Sequence, residues 1–142
     1  MASLPLAACG PDVGNGSGNA EANACGTSHA SVTADQLYKD IVQDRCQSCH
    51  NPNAQGTTLM MDSVEALKAV VGADSAYGNG LKIIEANRSE NSTMYLKVLG
   101  GTPAGIHGPD GESVGARMPA SGPVLTEEER KKVQDWICTG AK

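Results

Sequence analysis

Aromatic residues are scarce in this chain of 142 residues, which has no phenylalanine, one tryptophan and three tyrosines. Because aromatic side chains normally supply much of the buried area of a core, their scarcity predicts either a thin core or an apolar molecule enclosed by the chain. Positive charge is also scarce, since the chain has 11 Lys and Arg against 16 Asp and Glu, which gives a net charge of −5. This charge argues against nucleic-acid binding, which requires a basic surface, and it favours a basic partner protein.

Long apolar runs are missing as well, because no stretch of the sequence reaches the roughly 20 apolar residues that a membrane-spanning helix needs. A different membrane feature lies near the start. Leu6-Ala7-Ala8-Cys9 resembles the lipobox of bacterial lipoproteins, in which the cysteine is acylated. We therefore predict Cys9 as a lipid site that tethers the protein to a membrane. The alternative is an Ala-rich tail with a stray cysteine.

Residues 10–30 are rich in Gly, Asn, Ala and Ser and have no apolar period, which predicts a flexible linker. The chain is therefore divided into a tail and linker, residues 1–30, and a folded domain, residues 31–142. No internal repeat is found in the domain.

Four helical patterns occupy the folded domain. Each has a Ser or Thr in the N-cap position, followed by apolar residues at helical spacing. The four N-cap residues are Thr33, Ser63, Ser92 and Thr126, and Gln36 and Glu129 complete capping boxes with the first and the last of them. The spacing predicts an apolar face in the first helix, formed by Leu37, Tyr38, Ile41 and Val42, and an inward face in the last helix, formed by Val133, Trp136 and Ile137. The segment Leu81–Asn87 is ambiguous between a strand and an extended loop, and residues 100–123 form a long loop rich in Gly and Pro. These patterns predict an all-α domain with long irregular loops.

The stretch Cys46-Gln47-Ser48-Cys49-His50 has the C-x-x-C-H pattern of a c-type haem attachment site. Each thiol can form a thioether with one vinyl group of the porphyrin, and the spacing of one helical turn brings the imidazole of His50 over the iron. A zinc site would need two further grouped ligands, and a thioredoxin-like site would need a βαβ setting. The motif therefore predicts one covalent haem c, which also supplies the apolar surface that the missing aromatics do not.

A second axial ligand should lie downstream, in a loop that returns to the other face of the haem. The candidates are Met60, Met61, Met94, Met118, His29 and His107. We favour Met118, because Pro119 stiffens the backbone beside it and a thioether raises the potential of haem iron. His107, which would give bis-His ligation, and the absence of a stable sixth ligand stay open. We expect Met94 in the core and His29 in the solvated linker.

Three features together resemble the monohaem class I cytochromes c over Ser31–Lys142: the helix leading into CQSCH, the loop with "RMP" and the final helix "LTEEERKKVQDWICTGA". More narrowly, "LMMDSVEALKAVV" and "SENSTMYLKV" are similar to the haem-binding cytochrome c domains of planctomycete-like bacteria. The resemblance implies a helical bundle around one covalent haem, with the first and last helices crossing. It also implies Cys46 and Cys49 as attachment points and His50 and Met118 as axial ligands. Residues Gly100–Gly115 are longer than in small members, so the role of His107 stays open.

The two remaining cysteines are Cys25 and Cys138. If the first and last helices cross, these sulfurs can meet, and we favour a disulfide between them. A bridge between Cys9 and Cys25, or Cys138 as a small buried apolar residue, are the alternatives. Haem c is assembled outside the cytoplasm, where disulfides persist.

These observations predict a monomeric single-electron carrier, not an enzyme, in the periplasm or on the outer surface. We expect it to dock onto redox partners with a basic face. The alternative is a haem-based sensor or peroxidase-type enzyme with a labile sixth ligand.

Overall fold

The computed structural model describes residues 24–55, 57–99, 107–111 and 113–142. The lipobox-like stretch, most of the predicted linker and part of the long Gly-rich loop lie outside the described residues. Within the described ranges the chain forms helices and a few isolated backbone bridges, with no strand. The prediction of an all-α domain is confirmed.

The first helix, α1, has three consecutive segments. It begins as an α-helical turn at Ala34–Leu37, widens to a π-helix at Tyr38–Val42 and ends as an α-helical turn at Gln43–Arg45. The predicted capping box is confirmed, because Thr33 Oγ1 accepts from the Gln36 N–H at 3.2 Å and Gln36 Oε1 accepts from the Thr33 N–H at 2.9 Å.

The apolar face predicted for α1 is buried as expected. Leu37, Ile41 and Val42 are almost completely enclosed. Tyr38 is half-buried, and its hydroxyl donates to the carbonyl of Asp62 at 2.7 Å. This face supplies much of the aliphatic core around which the later elements pack.

Two short helices and a 3₁₀ turn occupy the middle of the chain. Helix α2 spans Val64–Ala69, the 3₁₀ turn spans Ser89–Asn91 and helix α3 spans Thr93–Val98. The predicted cap of α2 is confirmed, since Ser63 Oγ accepts from the Ala66 N–H at 3.1 Å.

The predicted cap of α3 is wrong in its chemistry, although Ser92 does occupy the N-cap position. Its hydroxyl accepts from the Glu85 N–H at 2.8 Å and donates to the Arg88 carbonyl at 2.8 Å. The side chain is fully buried against the preceding loop, where its oxygen is the hydrogen-bond acceptor of the Glu85 N–H. Ser92 therefore fastens the ambiguous segment 81–87, which is a loop with isolated bridges, to the start of α3.

The last helix, α4, spans Glu127–Cys138 and begins with the predicted capping box. Thr126 Oγ1 accepts from the Glu129 N–H at 3.2 Å, and Glu129 Oε2 accepts from the Thr126 N–H at 2.7 Å. As predicted, its inward side chains are fully buried; they are Val133, Trp136 and Ile137.

Helices α1 and α4 lie against each other, as the resemblance implied. The guanidinium of Arg45 donates to both carboxylate oxygens of Glu129, at 3.1 and 3.2 Å, and Lys132 pairs with Asp40 at 3.0 Å. The Ala34 N–H also donates to the carbonyl of the last residue at 2.9 Å. None of the helices in the described ranges combines the length and apolarity of a membrane span.

The residues just upstream of α1 are attached to α4. A disulfide joins Cys25 to Cys138, whose Cα atoms are 5.4 Å apart, which is the pairing favoured from the sequence. The expectation that His29 is solvated is wrong: its side chain is 12% exposed and its Nδ1 lies 2.8 Å from Asp135 Oδ1. The disulfide holds this segment on α4, where the buried Asp135 carboxylate needs polar partners. The division of the chain at residues 30 and 31 stays a prediction, although Ala24, within the predicted linker, accepts a hydrogen bond from Gln134 of α4.

The pairing of Glu129 predicts an acid-dependent contribution to stability. Burial raises the pKa of Glu129, but the bonds from Thr126 and Arg45 outweigh burial and hold it below the ordinary value of 4.5. A depressed folded-state pKa stabilises the protein above 4.5, and this contribution is lost as the pH falls through the folded-state pKa. Glu129→Gln keeps a capping oxygen but no charge, so its free energy of unfolding should depend less on pH in this range.

Urea unfolding of wild type and Glu129→Gln at a series of acid pH values measures this difference. The matched control is Glu128→Gln, which removes an exposed charge from the same helical turn. Equal acid dependence of the two variants would contradict the prediction.

Candidate haem-binding site

The attachment motif follows directly from α1 as one further helical turn. The N–H of Cys46 donates to Val42 at 2.9 Å, and the N–H groups of Cys49 and His50 both donate to the Cys46 carbonyl, at 3.1 and 2.9 Å. The two cysteines are free thiols, Cys46 half-buried and Cys49 exposed. The turn that follows α1 thus carries both sulfurs and the imidazole, as the C-x-x-C-H pattern requires.

The Cys46 thiol is held in its protonated form. Burial, reinforced by the neighbouring Cys49 and opposed by Arg45, raises the pKa of Cys46 to about 11. The thiolate is the form that ligates metals and reacts in disulfide exchange. Without a bound ligand, the Cys46 thiol therefore stays protonated at neutral pH.

His50 is oriented by the loop that follows it. Its Nδ1 lies 3.0 Å from the carbonyl of Leu59 and can only donate to it, so Nε2 carries the lone pair. Thr57 Oγ1 lies 3.4 Å from the same Nδ1, and the Met61 N–H donates to the His50 carbonyl at 2.9 Å. This is the tautomer that a metal-ligating histidine requires. The role of Leu59 could not be predicted from the sequence, because a backbone carbonyl has no residue-specific pattern.

The loop that carries Met118 is fastened to α3. The Met118 N–H donates to the Lys97 carbonyl at 2.8 Å, and Lys97 Nζ donates to the Ala116 carbonyl at 3.1 Å. The same ammonium lies 4.8 Å from the centre of the Tyr77 ring, and Val114 is completely buried. These contacts position Met118, which is half-buried, and none of them was foreseen from the sequence.

The other candidate ligands have different surroundings. His107 is exposed, and its Nδ1 donates to the Gly111 carbonyl at 2.9 Å within its own turn. Met61 and Met94 are 3% and 7% exposed members of the core, so the expectation for Met94 is confirmed. Met60 is half-buried.

The donor set fits a covalently bound haem. Two thiols and an imidazole with a free Nε2 are present on one turn, and a thioether lies in a separately fastened loop. Beside Met118, the Nη1 of Arg117 is buried and has no hydrogen-bond partner among the described residues. A buried cationic donor of this kind calls for an anion, and haem propionates are anions.

The helices and the motif together define a small helical protein of the c-type haem class. The family model for cytochrome c matches residues 38–141, and the chain belongs to this family. No match was found among curated proteins or among solved structures. The family binds covalent haem c and carries out haem-based electron transfer. The match begins in the π-helical segment of α1, extends beyond the end of α4 and includes all four predicted site residues.

The contacts of Lys97 predict that this side chain restrains the Met118 loop. Lys97→Met removes the donor to Ala116 and the cation over Tyr77, interactions worth about 1 kcal/mol each. We expect amide hydrogen exchange at Met118 to become about 5- to 30-fold faster, because the loop opens more readily.

Hydrogen exchange followed by NMR or by mass spectrometry of short peptides measures this change. Lys68→Met removes an exposed lysine from α2 and is the matched control. If Met118 exchanged at the same rate in both variants, Lys97 would not restrain the loop.

Proposed function

We propose that this protein is an extracytoplasmic single-electron carrier with one haem c. Cys46 and Cys49 attach the haem, and His50 and Met118 ligate its iron. The observation that carries the proposal is the hydrogen bond between His50 Nδ1 and the Leu59 carbonyl, which leaves Nε2 free to ligate beside two thiols. Membership of the cytochrome c family supports it.

The haem, when bound, supplies the one-electron chemistry, and the chain controls its position and surroundings. The Leu59 carbonyl fixes the ring and the tautomer of His50. Met118 offers a soft thioether, which favours the reduced state and raises the potential. Arg117 places a positive charge near Met118, where it can neutralise a propionate. If His50 and Met118 both hold the iron, substrates and small ligands would reach the metal only slowly, which favours a carrier over an enzyme.

The location and partners follow from other parts of the chain. A lipid on Cys9 and a linker rich in Gly and Asn would hold the domain near a bacterial membrane, in the periplasm or on the outer surface. The disulfide between Cys25 and Cys138 would persist in such an oxidising compartment. A net charge of −5 favours basic redox partners, and we propose that the protein acts as a monomer.

Ligation by Met118 is tested by substitution and visible spectroscopy. Protein produced with haem-maturation enzymes should show the weak far-red band of sulfur bound to ferric haem, and reduced protein should bind carbon monoxide slowly. Met118→Leu should abolish the band, speed the binding of carbon monoxide and lower the potential, because the thioether is gone.

His107→Ala is the matched control and should change none of these properties. If this variant altered the spectrum while Met118→Leu did not, the protein would have bis-His ligation. Rapid binding of carbon monoxide by the wild type would favour the sensor or enzyme. Colourless protein would overturn the haem proposal itself.

Lipidation of Cys9 is tested on native protein purified from membranes. Mass spectrometry should find the chain beginning at an acylated Cys9, and Cys9→Ser should move the protein to the soluble fraction, because its only lipid is lost. An unmodified Cys9 would contradict the tether.

A further inference from the structure

A cluster of metal-binding side chains lies at the junction between the N-terminal segment and α4, apart from the haem motif. The sulfur atoms of Cys25 and Cys138 and one ring nitrogen of His29 all lie within 4.8 Å of one another. The two sulfurs are joined as a disulfide, which cannot ligate a metal as thiolates do.

The imidazole of His29 is arranged as in a metal site. Its Nδ1 lies 2.8 Å from Asp135 Oδ1, and both oxygens of this buried carboxylate are held by Lys131 at 2.8 Å. A carboxylate in this position fixes the ring and tautomer of a metal-ligating histidine. With the proton on Nδ1, Nε2 is left with its lone pair.

The Nε2 of His29 has no evident structural role. It is buried and has no hydrogen-bond partner among the described residues. A buried polar atom without a partner costs stability, so its persistence calls for an explanation. Binding of a metal ion to Nε2, once the neighbouring disulfide is reduced, would explain why this atom has no partner in the described part of the chain.

We propose that reduction of the Cys25–Cys138 disulfide converts this junction into a site for a soft divalent cation such as Zn²⁺. The ligands are the two thiolates and the Nε2 of His29, with Asp135 as the positioning residue. Two sulfurs and one imidazole suit Zn²⁺ and disfavour Ca²⁺ or Mg²⁺. A fourth position is open to water.

The chemistry balances with a dithiol reductant. The reductant gives two electrons and two protons to the disulfide, the S–S bond breaks, two thiols form, and the reductant becomes a cyclic disulfide. Binding of Zn²⁺ then displaces one proton from each thiol. The metal replaces the covalent link between the N-terminal segment and α4, so this junction would stay closed in both redox states.

The test uses the haem-loaded full chain with Cys9→Ser, so that reduction frees Cys25 and Cys138 alone. A phosphine, which takes oxygen from water as it is oxidised, reduces the disulfide without itself offering a thiol. The free thiols are counted after reduction and before metal is added. A count of two, from Cys25 and Cys138, shows that Cys46 and Cys49 are attached to haem. A count of four would mean that the proposed haem attachment has failed, independently of this inference.

Zn²⁺ alone is then titrated against a chromophoric chelator. We expect one Zn²⁺ per reduced chain and none at this site in the oxidised chain. X-ray absorption should show two sulfurs at about 2.3 Å and a nitrogen at about 2.0 Å. Zn²⁺ should also raise the thermal midpoint of the reduced protein without changing that of the oxidised protein.

Substitutions separate the proposed ligands from general structure. His29→Ala should abolish tight binding, and Asp135→Asn should weaken it by about 10- to 100-fold while keeping the buried volume. His107→Ala, at an exposed histidine, is the matched control and should bind as the parent does. Equal binding by oxidised and reduced protein, a coordination shell with fewer than two sulfurs, or full affinity in His29→Ala would overturn the proposal.

Discussion

The hydrogen bond between His50 Nδ1 and the Leu59 carbonyl decides what the attachment motif can do. A C-x-x-C-H sequence supplies thiols and an imidazole, but the imidazole ligates well only when one nitrogen is committed elsewhere. The loop after the motif supplies the Leu59 carbonyl that binds Nδ1. The same loop folds back toward the motif, so that the Met61 N–H donates to the carbonyl of His50. A ring held in this way keeps one orientation and one tautomer, whereas a ring free to rotate would not.

The pair of helices α1 and α4 is the frame on which both sides of the site are built. Glu129 caps its own helix and also binds Arg45, the residue just before the motif, so a single carboxylate joins the start of α4 to the end of α1. From the same helix, Arg130 donates to the Leu99 carbonyl at 3.1 Å, just after α3. Since α3 holds the Met118 loop through Lys97, the two predicted axial ligands are positioned by elements that share α4 as a support.

The opposite end of α4 contacts the N-terminal segment through Cys138 and Asp135. There the Asp135 carboxylate accepts hydrogen bonds from both Lys131 and His29. Burial raises the pKa of Asp135, but these two partners together hold it below the usual range. The described chain therefore places one potential metal-binding centre at each end of the α1–α4 pair. They differ in chemistry, because Cys46 and Cys49 form no disulfide and lie beside an oriented imidazole, whereas Cys25 and Cys138 are joined to each other.

Local sequence patterns alone were enough to predict the helices and the haem attachment motif. The capping boxes at Thr33 and Thr126 and the buried faces of α1 and α4 could be predicted because caps and helical periodicity involve residues only three or four apart. The site contacts could not be predicted, because Leu59 acts through a backbone carbonyl, which every residue possesses, and the side chain of Lys97 contacts groups that are distant in the sequence. His29 and Ser92 show the same limit for side chains: each could bond to water or to a distant buried group, and the sequence does not distinguish these outcomes. Only the tertiary structure, by bringing α4 beside the N-terminal segment and the loop 81–87 beside α3, decided which partner each one has.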